Sequence, residues 1–365
     1  MTPQVVLFGA TGYQGGLTLE ALVRRGIRPV LAGLSAERLA PLAAQHGDLT
    51  YRIADAAKPA ELTAILHPGD VLVSTVGPFE QYGYPVAQAA VDAGAHYLDS
   101  AGEVGFVREL RRRQHARAQA AGVVLSPTFG YDYIPGILAA TLAAEQAGRA
   151  ATELEIGYFA IGSLRNGLSQ GTRKTIAQGL VLPSLVYRDG HLVERRTAGT
   201  VRAFSVRGTK RDAILASGTE VMFLPEQLPQ LRTVTVYNGW FPGLSRAMQF
   251  GSAVANLTVR LPGGREVFDA LSSRTTGPAG GPDATERSRT RSHVVAVARD
   301  SSGAILAQTH LEGPSPYNLT GELMAWAAAE LADGNGQTPG VVGPVQAFGL
   351  ARLRTGANAA GLTEI

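Results

Sequence analysis

Val5-Val6-Leu7-Phe8-Gly9-Ala10-Thr11-Gly12-Tyr13-Gln14-Gly15 stands near the start of a chain of 365 residues. Four consecutive apolar residues read as a buried strand and the amphipathic stretch 13–25 as a helix, so three glycines at three-residue spacing fall on the turn between them. Glycine lets a backbone turn sharply and approach a pyrophosphate, whose charge then rests on amides at the helix N-terminus. This reading assigns Gly9, Ala10, Thr11, Gly12, Tyr13, Gln14 and Gly15 to a dinucleotide; the plain alternative is a tight turn.

Outward from this motif the pattern repeats. Strands are expected near 4–9, 29–33, 50–54, 70–76, 95–98 and 122–126, with helices near 13–25, 36–45, 58–66, 84–93 and 105–120. That alternation describes a doubly wound α/β unit with a parallel sheet. The second strand ends in Ala32-Gly33-Leu34-Ser35, with no carboxylate to repel a 2′-phosphate. With Ser35 and Arg38 as donors at the next turn, NADP(H) is expected over NAD(H), unless Arg38 is a solvated helix charge. Asp55 either accepts from an adenine amino group or caps the helix near Lys58. Val76-Gly77-Pro78-Phe79 follows the fourth strand, on the edge where open α/β sheets bind ligands, so this loop is expected to border the nicotinamide. Gly77 permits close approach, Pro78 stiffens the turn, and Phe79 offers an aromatic face. Tyr82 and Tyr84 either cover the cofactor or are ordinary surface aromatics.

From Ala151 onward, period-2 stretches such as Leu154 to Phe159 and Arg232 to Tyr237 indicate a mostly antiparallel sheet in a second, α+β domain. Ser272 to Ser292 reads as a mobile loop, and Asn318 to Leu331 as a helix packing back on the first domain. The expected division is an NADP-binding Rossmann domain over 1–126, completed by 317–365, and a substrate and dimerisation domain over 127–316.

Composition narrows the chemistry. Lys+Arg 33 against Asp+Glu 30 is too balanced to imply nucleic acid or an anionic membrane as partner. Zero cysteines remove thiolate nucleophiles and Cys-ligated metal centres, so redox chemistry needs a borrowed cofactor. Without partners at ligand spacing, the histidines support no metal site. The first apolar run is too short for a secretory signal and no stretch is long enough to span a bilayer, so a cytoplasmic location is expected. The run Arg108 to His115 reads as a solvated helix face.

Hydride transfer also needs a proton donor and a grip on substrate. Tyr131-Asp132-Tyr133 falls after the sixth strand: a tyrosine hydroxyl can donate to a carbonyl or imine, and Asp132 either orients it, binds an ammonium group, or caps the helix near Ile134. Asp99 and Glu103 end the fifth strand. They either share a proton at raised pKa or serve the next helix, with Asp99 or Ser100 at the N-cap and Glu103 in the first turn. Ser169, Thr172 and Arg173 are candidates for a substrate carboxylate or phosphate, and His310 for a residue facing the cleft.

Gly9-Ala10-Thr11-Gly12-Tyr13, Val76-Gly77-Pro78-Phe79 with Tyr82-Gly83, His96-Tyr97-Leu98-Asp99 with Gly102-Glu103, and Gly130 to Pro135 together resemble saccharopine dehydrogenase-like oxidoreductases. Ser169 to Thr172 and Pro316 to Thr320 resemble later blocks. The resemblance implies a Rossmann domain, an inserted catalytic domain, a terminal helix returning to the first domain, and NADP(H). Relatives often hold the 2′-phosphate with an arginine where this chain has Leu34. Substrates in the family include imines formed in saccharopine chemistry and, in actinobacterial trans-acting enoyl reductases, C=C bonds of acyl chains. The expectation is an NADPH-dependent reductase of a C=N bond in a small molecule. An enoyl reductase is the alternative, with an apolar trench involving Trp240, Phe241 and Met248, and a non-catalytic NADP sensor is a third. Homodimerisation through the antiparallel sheet is a further expectation.

Overall fold

A computed structural model describes residues 2–162, 168–259, 261–264, 266 and 280–365. Two compact units emerge, Met1–Ile134 with Tyr317–Gly361, and Pro135–Pro316 with Leu362–Ile365.

The first unit alternates β1 (Val5–Phe8), α1 (Tyr13–Arg24), β2 (Val30–Gly33), α2 (Ala36–Gln45), β3 (Tyr51–Ile53), α3 (Pro59–Thr63), β4 (Val71–Ser74), α4 (Phe79–Ala93), β5 (His96–Asp99), α5 (Val104–Ala121) and β6 (Val124–Ser126). All four residues of β1 and all four of β4 are buried, as central strands covered on both faces require. Every strand pairing in this sheet is parallel. α4 starts at Phe79, earlier than the spacing indicates, because Pro78 supplies a helix-compatible N-cap position and Pro85 is accommodated inside the helix.

In the second unit, α6 (Ile134–Ala147, which begins in the first) leads into β7 (Glu153–Ile161), α7 (Gln170–Gly179), β8 (Pro183–Arg188), β9 (His191–Arg196), β10 (Val201–Val206), β11 (Thr209–Ala216), α8 (Glu220–Gln227), β12 (Thr233–Asn238), α9 (Ser245–Val259), α10 (Ala284–Ser288), β13 (Arg291–Arg299) and β14 (Ile305–Gly313). The chain then returns to the first unit through α11 (Pro316–Ala332), β15 (Gly340–Val341), α12 (Pro344–Phe348) and α13 (Leu350–Ala359), and ends in β16 (Thr363–Glu364).

The seven-stranded sheet of the first unit runs β15-β6-β5-β4-β1-β2-β3, so chain direction reverses its winding between β1 and β4. The switch point therefore lies between β1 and β4, the usual ligand position in a doubly wound sheet. α11 lies close on α1 because Gly321 has no side chain: a Cβ would meet the Leu17 carbonyl oxygen at 3.0 Å. Glu322 then binds Arg24 at 2.7 Å and Arg25 at 3.2 Å. His115 of α5 holds β15, accepting the Val341 amide on Nδ1 at 3.2 Å. The basic run of α5 is folded onto carboxylates, with Arg112 and Arg113 on Glu109 and Arg117 on Asp92.

The nine-stranded sheet of the second unit is mixed. It runs β10-β11-β12-β7-β13-β14-β16, with β8 on β12 and β9 on β8, and among the described residues only β12 with β7 is parallel. One face packs Phe159, Phe204, Val206, Tyr237, Val295 and Val297 together. Of the expected loop Ser272 to Ser292, residues 272–279 lie outside the described residues. The remainder is ordered into α10 and the start of β13, because Asp283 and Glu286 form a reciprocal capping box.

Candidate active site

The turn after β1 is built around absent side chains. Gly9 has φ +94°, and a Cβ there would lie 2.7 Å from Val76 and 2.8 Å from Thr75, the residues leaving β4. At Gly15 a Cβ would fall 2.1 Å from the Gly9 carbonyl oxygen. The turn closes with the Gly12 amide on the Gly9 carbonyl, and α1 begins with the Gly16 amide on the Gly12 carbonyl, both at 2.9 Å. Tyr13, Gln14 and Gly15 thus occupy the first turn, where amides precede the helical ladder and the macrodipole favours an anion. The side chains of Tyr13 and Gln14 serve as scaffold: Tyr13 meets Tyr317 edge to face at 5.3 Å, and Gln14 Nε2 donates to the Tyr317 carbonyl at 3.2 Å. A cradle that any Cβ would fill, ending on a helix N-terminus, fits a dinucleotide pyrophosphate.

At the far end of β2, Leu34 is 70% exposed and offers no charge. Ser35 takes the N-cap of α2 without spending its hydroxyl on a capping bond. Arg38 reaches across and donates to the Thr11 carbonyl at 2.8 Å, which sets an exposed guanidinium beside the cradle. That placement matches a 2′-phosphate grip from the following helix rather than from the strand end. Asp55 closes a local turn, accepting the Ala57 amide on Oδ1 at 2.9 Å, and Lys58 takes the N-cap of α3, so the capping role weighed for Asp55 is not found.

The exits of β4, β5 and β6 carry a second cluster. Glu103 Oε2 accepts the Phe79 amide at 2.9 Å and so sits on the N-terminus of α4, beside Gly77 and Pro78. Burial, with Asp99 and Glu80 nearby, pushes the Glu103 carboxyl up to about 7 despite the opposing amide bond. Asp99 is fully buried. Its Oδ1 accepts the amides of Thr128 at 2.8 Å and Ala101 at 2.9 Å, and burial lifts it to about 6. Tyr97, two residues earlier on the same face of β5, has its hydroxyl pushed well up by burial and by Asp99. Neither Asp99 nor Ser100 caps α5, whose N-cap is Glu103 itself; the carboxylates tie neighbouring exits together instead.

The structure corrects the expectation of an open aromatic face at Phe79. Phe79 is buried against Phe106 at 5.8 Å, and Tyr84 stacks on Phe106 at 5.0 Å with Arg113 over its ring, so neither presents a face to a cofactor. Tyr82 stays half-buried on the first turn of α4, above Val76 and Pro78 in sequence. Tyr133 donates its hydroxyl to the Gly102 carbonyl at 3.0 Å, a bracket between exits rather than an idle proton donor. The Tyr131 amide is held by Thr320 Oγ1 at 3.0 Å. Asp132 is half-buried, and desolvation pushes its carboxyl to about 6.

Two candidates lie in the second unit. Ser169 and Thr172 share a hydroxyl hydrogen bond at 2.9 Å, and Ser169 accepts the Thr172 amide at 3.2 Å, so both are used at the start of α7, with Arg173 on its first turn. His310 contacts His293, Nδ1 to Nε2 at 3.3 Å. His293 is fully buried, and burial with His310 holds it down at about 4. Register alone produces this pair, since His293 lies opposite Glu312 and His310 opposite Val295. Between pH 6.5 and 4 the unfolded chain takes up a proton that folded His293 refuses, so stability falls as pH drops through that window, by up to about 3 kcal/mol. Urea titrations at pH 7 and pH 4.5 are expected to show this loss, and His293→Asn to flatten it.

Residues 5–125 match the family described as saccharopine dehydrogenase NADP binding domain. A trans-acting enoyl reductase of Mycobacterium leprae is 38% identical over 140 residues, 37% of this chain and 34% of its own length. The counterpart from Mycobacterium tuberculosis H37Rv gives the same identity and coverage. The matched stretch thus spans about a third of these curated relatives. In three dimensions the chain resembles the apo saccharopine dehydrogenase (L-Glu forming) of Saccharomyces cerevisiae, with TM-score 0.63 and 14% identity over 100% of this chain and 99% of that one. The glycine cradle and the winding of the first unit thus coincide with a match, over residues 5–125, to the NADP-binding domain of saccharopine dehydrogenases.

Proposed function

We propose that the protein is an NADPH-dependent reductase acting on a C=C bond conjugated to an acyl carbonyl. The observation that carries the redox part is the Gly9–Gly15 cradle facing the β4 exit, with Glu103 fixed on that same exit. When bound, NADPH supplies the hydride. The chain positions the cradle amides and Arg38 on the coenzyme phosphates. Glu103, close to half protonated at neutral pH, holds a proton at the β4 exit, and its burial together with the neighbouring Asp99 and Glu80 carboxyls favours keeping it. Reduction then adds hydride at the β-carbon and a proton at the α-carbon.

Two observations favour the enoyl reading over the imine reading expected from sequence. The relatives sharing 38% identity are named enoyl reductases. In the second unit, an open hollow of about 520 Å³ is lined by Leu168, Trp240, Phe241, Pro242 and Leu244, surfaces suited to an acyl chain. Loss of reduced-nicotinamide absorbance with enoyl thioesters, and none with imines or with oxo acids plus amines, is the expected result. Turnover of imines alone would return the C=N reading to first place, and NADPH binding with no acceptor at all would favour the sensor.

Coenzyme choice gives a separate test. Arg38→Ala is expected to weaken NADPH binding about tenfold while leaving NADH within twofold, consistent with one exposed charge-assisted contact. Leu34→Arg is expected to move the preference further toward NADPH. Fluorescence titration of both coenzymes reads both variants.

A further inference from the structure

The start of α11 is held from two sides of the Rossmann unit. On the coenzyme side, Gln14 Nε2 donates to the Tyr317 carbonyl at 3.2 Å, the Tyr317 ring meets that of Tyr13 at 5.3 Å, and Gly321 lets the helix rest on the Leu17 carbonyl. On the other side, Thr320 Oγ1 accepts the amide of Tyr131, 189 residues earlier in the chain, at 3.0 Å. Its methyl group fills the space beside Gly130, where a Cβ would fall 2.7 Å from Thr320 Cγ2. Thr320 thus grips the turn after β6 by both halves of its side chain.

That turn leads on around the sheet. The Thr128 amide is fixed by Asp99 Oδ1 at 2.8 Å, the Tyr133 amide returns to the Thr128 carbonyl at 3.1 Å, and the Tyr133 hydroxyl donates to the Gly102 carbonyl at 3.0 Å. Glu103, next in the chain, accepts the Phe79 amide at 2.9 Å, and Thr75 donates its hydroxyl back to the Gly9 carbonyl at 3.2 Å. The contacts close a circuit through the cradle, α11 and the exits of β6, β5 and β4. Its links between neighbouring strand exits are ones the sheet already holds in place. The two remaining links belong to α11, so Gln14 and Thr320 decide whether the circuit closes.

We propose that Thr320 is a positioning residue, whose hydroxyl carries the anchorage of α11 at the coenzyme cradle to the β6 exit and, through Tyr133, to the backbone that places Glu103. The last step rests on the reading of Glu103 as the proton holder; the link from cradle to β6 exit does not. The two halves of the side chain can be separated. Valine keeps the methyl group against Gly130 and removes the acceptor, whereas serine keeps the hydroxyl and removes the methyl. Without the acceptor the buried Tyr131 amide loses its partner at 3.0 Å, and the turn must shift to replace it.

Thr320→Val and Thr320→Ser in the full chain test it. In Thr320→Val, kcat with dodecenoyl-coenzyme A is expected to fall about tenfold at neutral pH, with KM and NADPH affinity within about twofold. The alkaline limb of its pH profile is expected to move down by roughly half a unit or more, as the Glu103 carboxyl becomes less enclosed. Thr320→Ser is expected to stay within about twofold of the wild type throughout. Hydrogen exchange supplies a readout that needs no turnover. Saturating NADPH is expected to slow exchange over residues 128–133 about threefold or more in the wild type and in Thr320→Ser, and not in Thr320→Val. Should Thr320→Val fail to fold, Gln14→Leu opens the circuit at its other α11 link and is read by the same exchange. Equal loss in the valine and serine variants assigns Thr320 to packing and overturns the proposal. So does an absence of slowing in the wild type, slowing that survives in Thr320→Val, or a limb unmoved in Thr320→Val where Glu103→Gln abolishes it. If the thioester is not reduced, or Glu103→Gln keeps the limb, the Glu103 reading fails by itself and exchange alone decides for or against Thr320.

Discussion

Gly15→Ala is expected to abolish usable coenzyme binding, while Gly16→Ala, one residue on, leaves it intact. At position 15 the new methyl group would lie 2.1 Å from the Gly9 carbonyl oxygen and 2.9 Å from the Ala10 Cα, both backbone atoms that cannot swing aside. Relief requires α1 to move away from the turn, which dismantles the array of first-turn amides. A shift of that kind is expected to weaken NADPH on the order of 100-fold, since the pyrophosphate contacts are geometric and act together. Overpacking of about 1–3 kcal/mol is expected with it, read as a fall in melting temperature of roughly 2–10 °C. At position 16 a methyl group meets nothing within 4 Å, and replacing a helical glycine by alanine adds about 0.5–1 kcal/mol of stability. Calorimetric titration of both variants with NADPH separates the two outcomes. Equal affinity in the two would dispose of the cradle.

Glu103→Gln is the other change with a large expected effect. Glutamine keeps a carbonyl oxygen to accept the Phe79 amide, so the start of α4 stays anchored while the proton is removed. Turnover below pH 7 is expected to fall about 100-fold, within the usual range for loss of a general acid. The wild-type rate is expected to decline as pH rises through about 7, where the carboxyl gives up its proton, and the variant to lose that limb. A purely structural Glu103 predicts an unchanged pH profile in the variant. Stability moves the same way. A carboxyl raised in the folded state is favoured while protonated, so Asp99 and Glu103 contribute stability that is lost as pH climbs from their unfolded values near 4 through about 6 and 7, opposite in sign to His293.

Much of the first unit was legible because each strand and helix carries its own periodicity. Gly9, Gly12 and Gly15 could be assigned to one turn from spacing alone, since that turn is local. Phe79 was misread because its ring looks available in a loop, whereas α4 starts there and turns it onto Phe106, some 27 residues away. The same limit hid the contact between Glu103 and Phe79, set by the exits of the paired strands β4 and β5, and the pairing of His293 with His310, set by the register of β13 on β14. Ser272 to Ser292 looked uniformly loop-like because composition outweighed the Asp283–Glu286 box at its end. In α9 the helical period is plain, but a period says which residues share a face and not which face meets water.

The strand β15 joins β6 from more than two hundred residues downstream, with His115 holding it in place. During synthesis, everything up to the second unit leaves the ribosome while β6 still presents an unzipped margin of amides and carbonyls. The nascent Rossmann half must therefore wait, sticky on one side, until residue 341 is translated, and a stalled or truncated polypeptide would expose that margin to chaperones or to its neighbours on the same messenger.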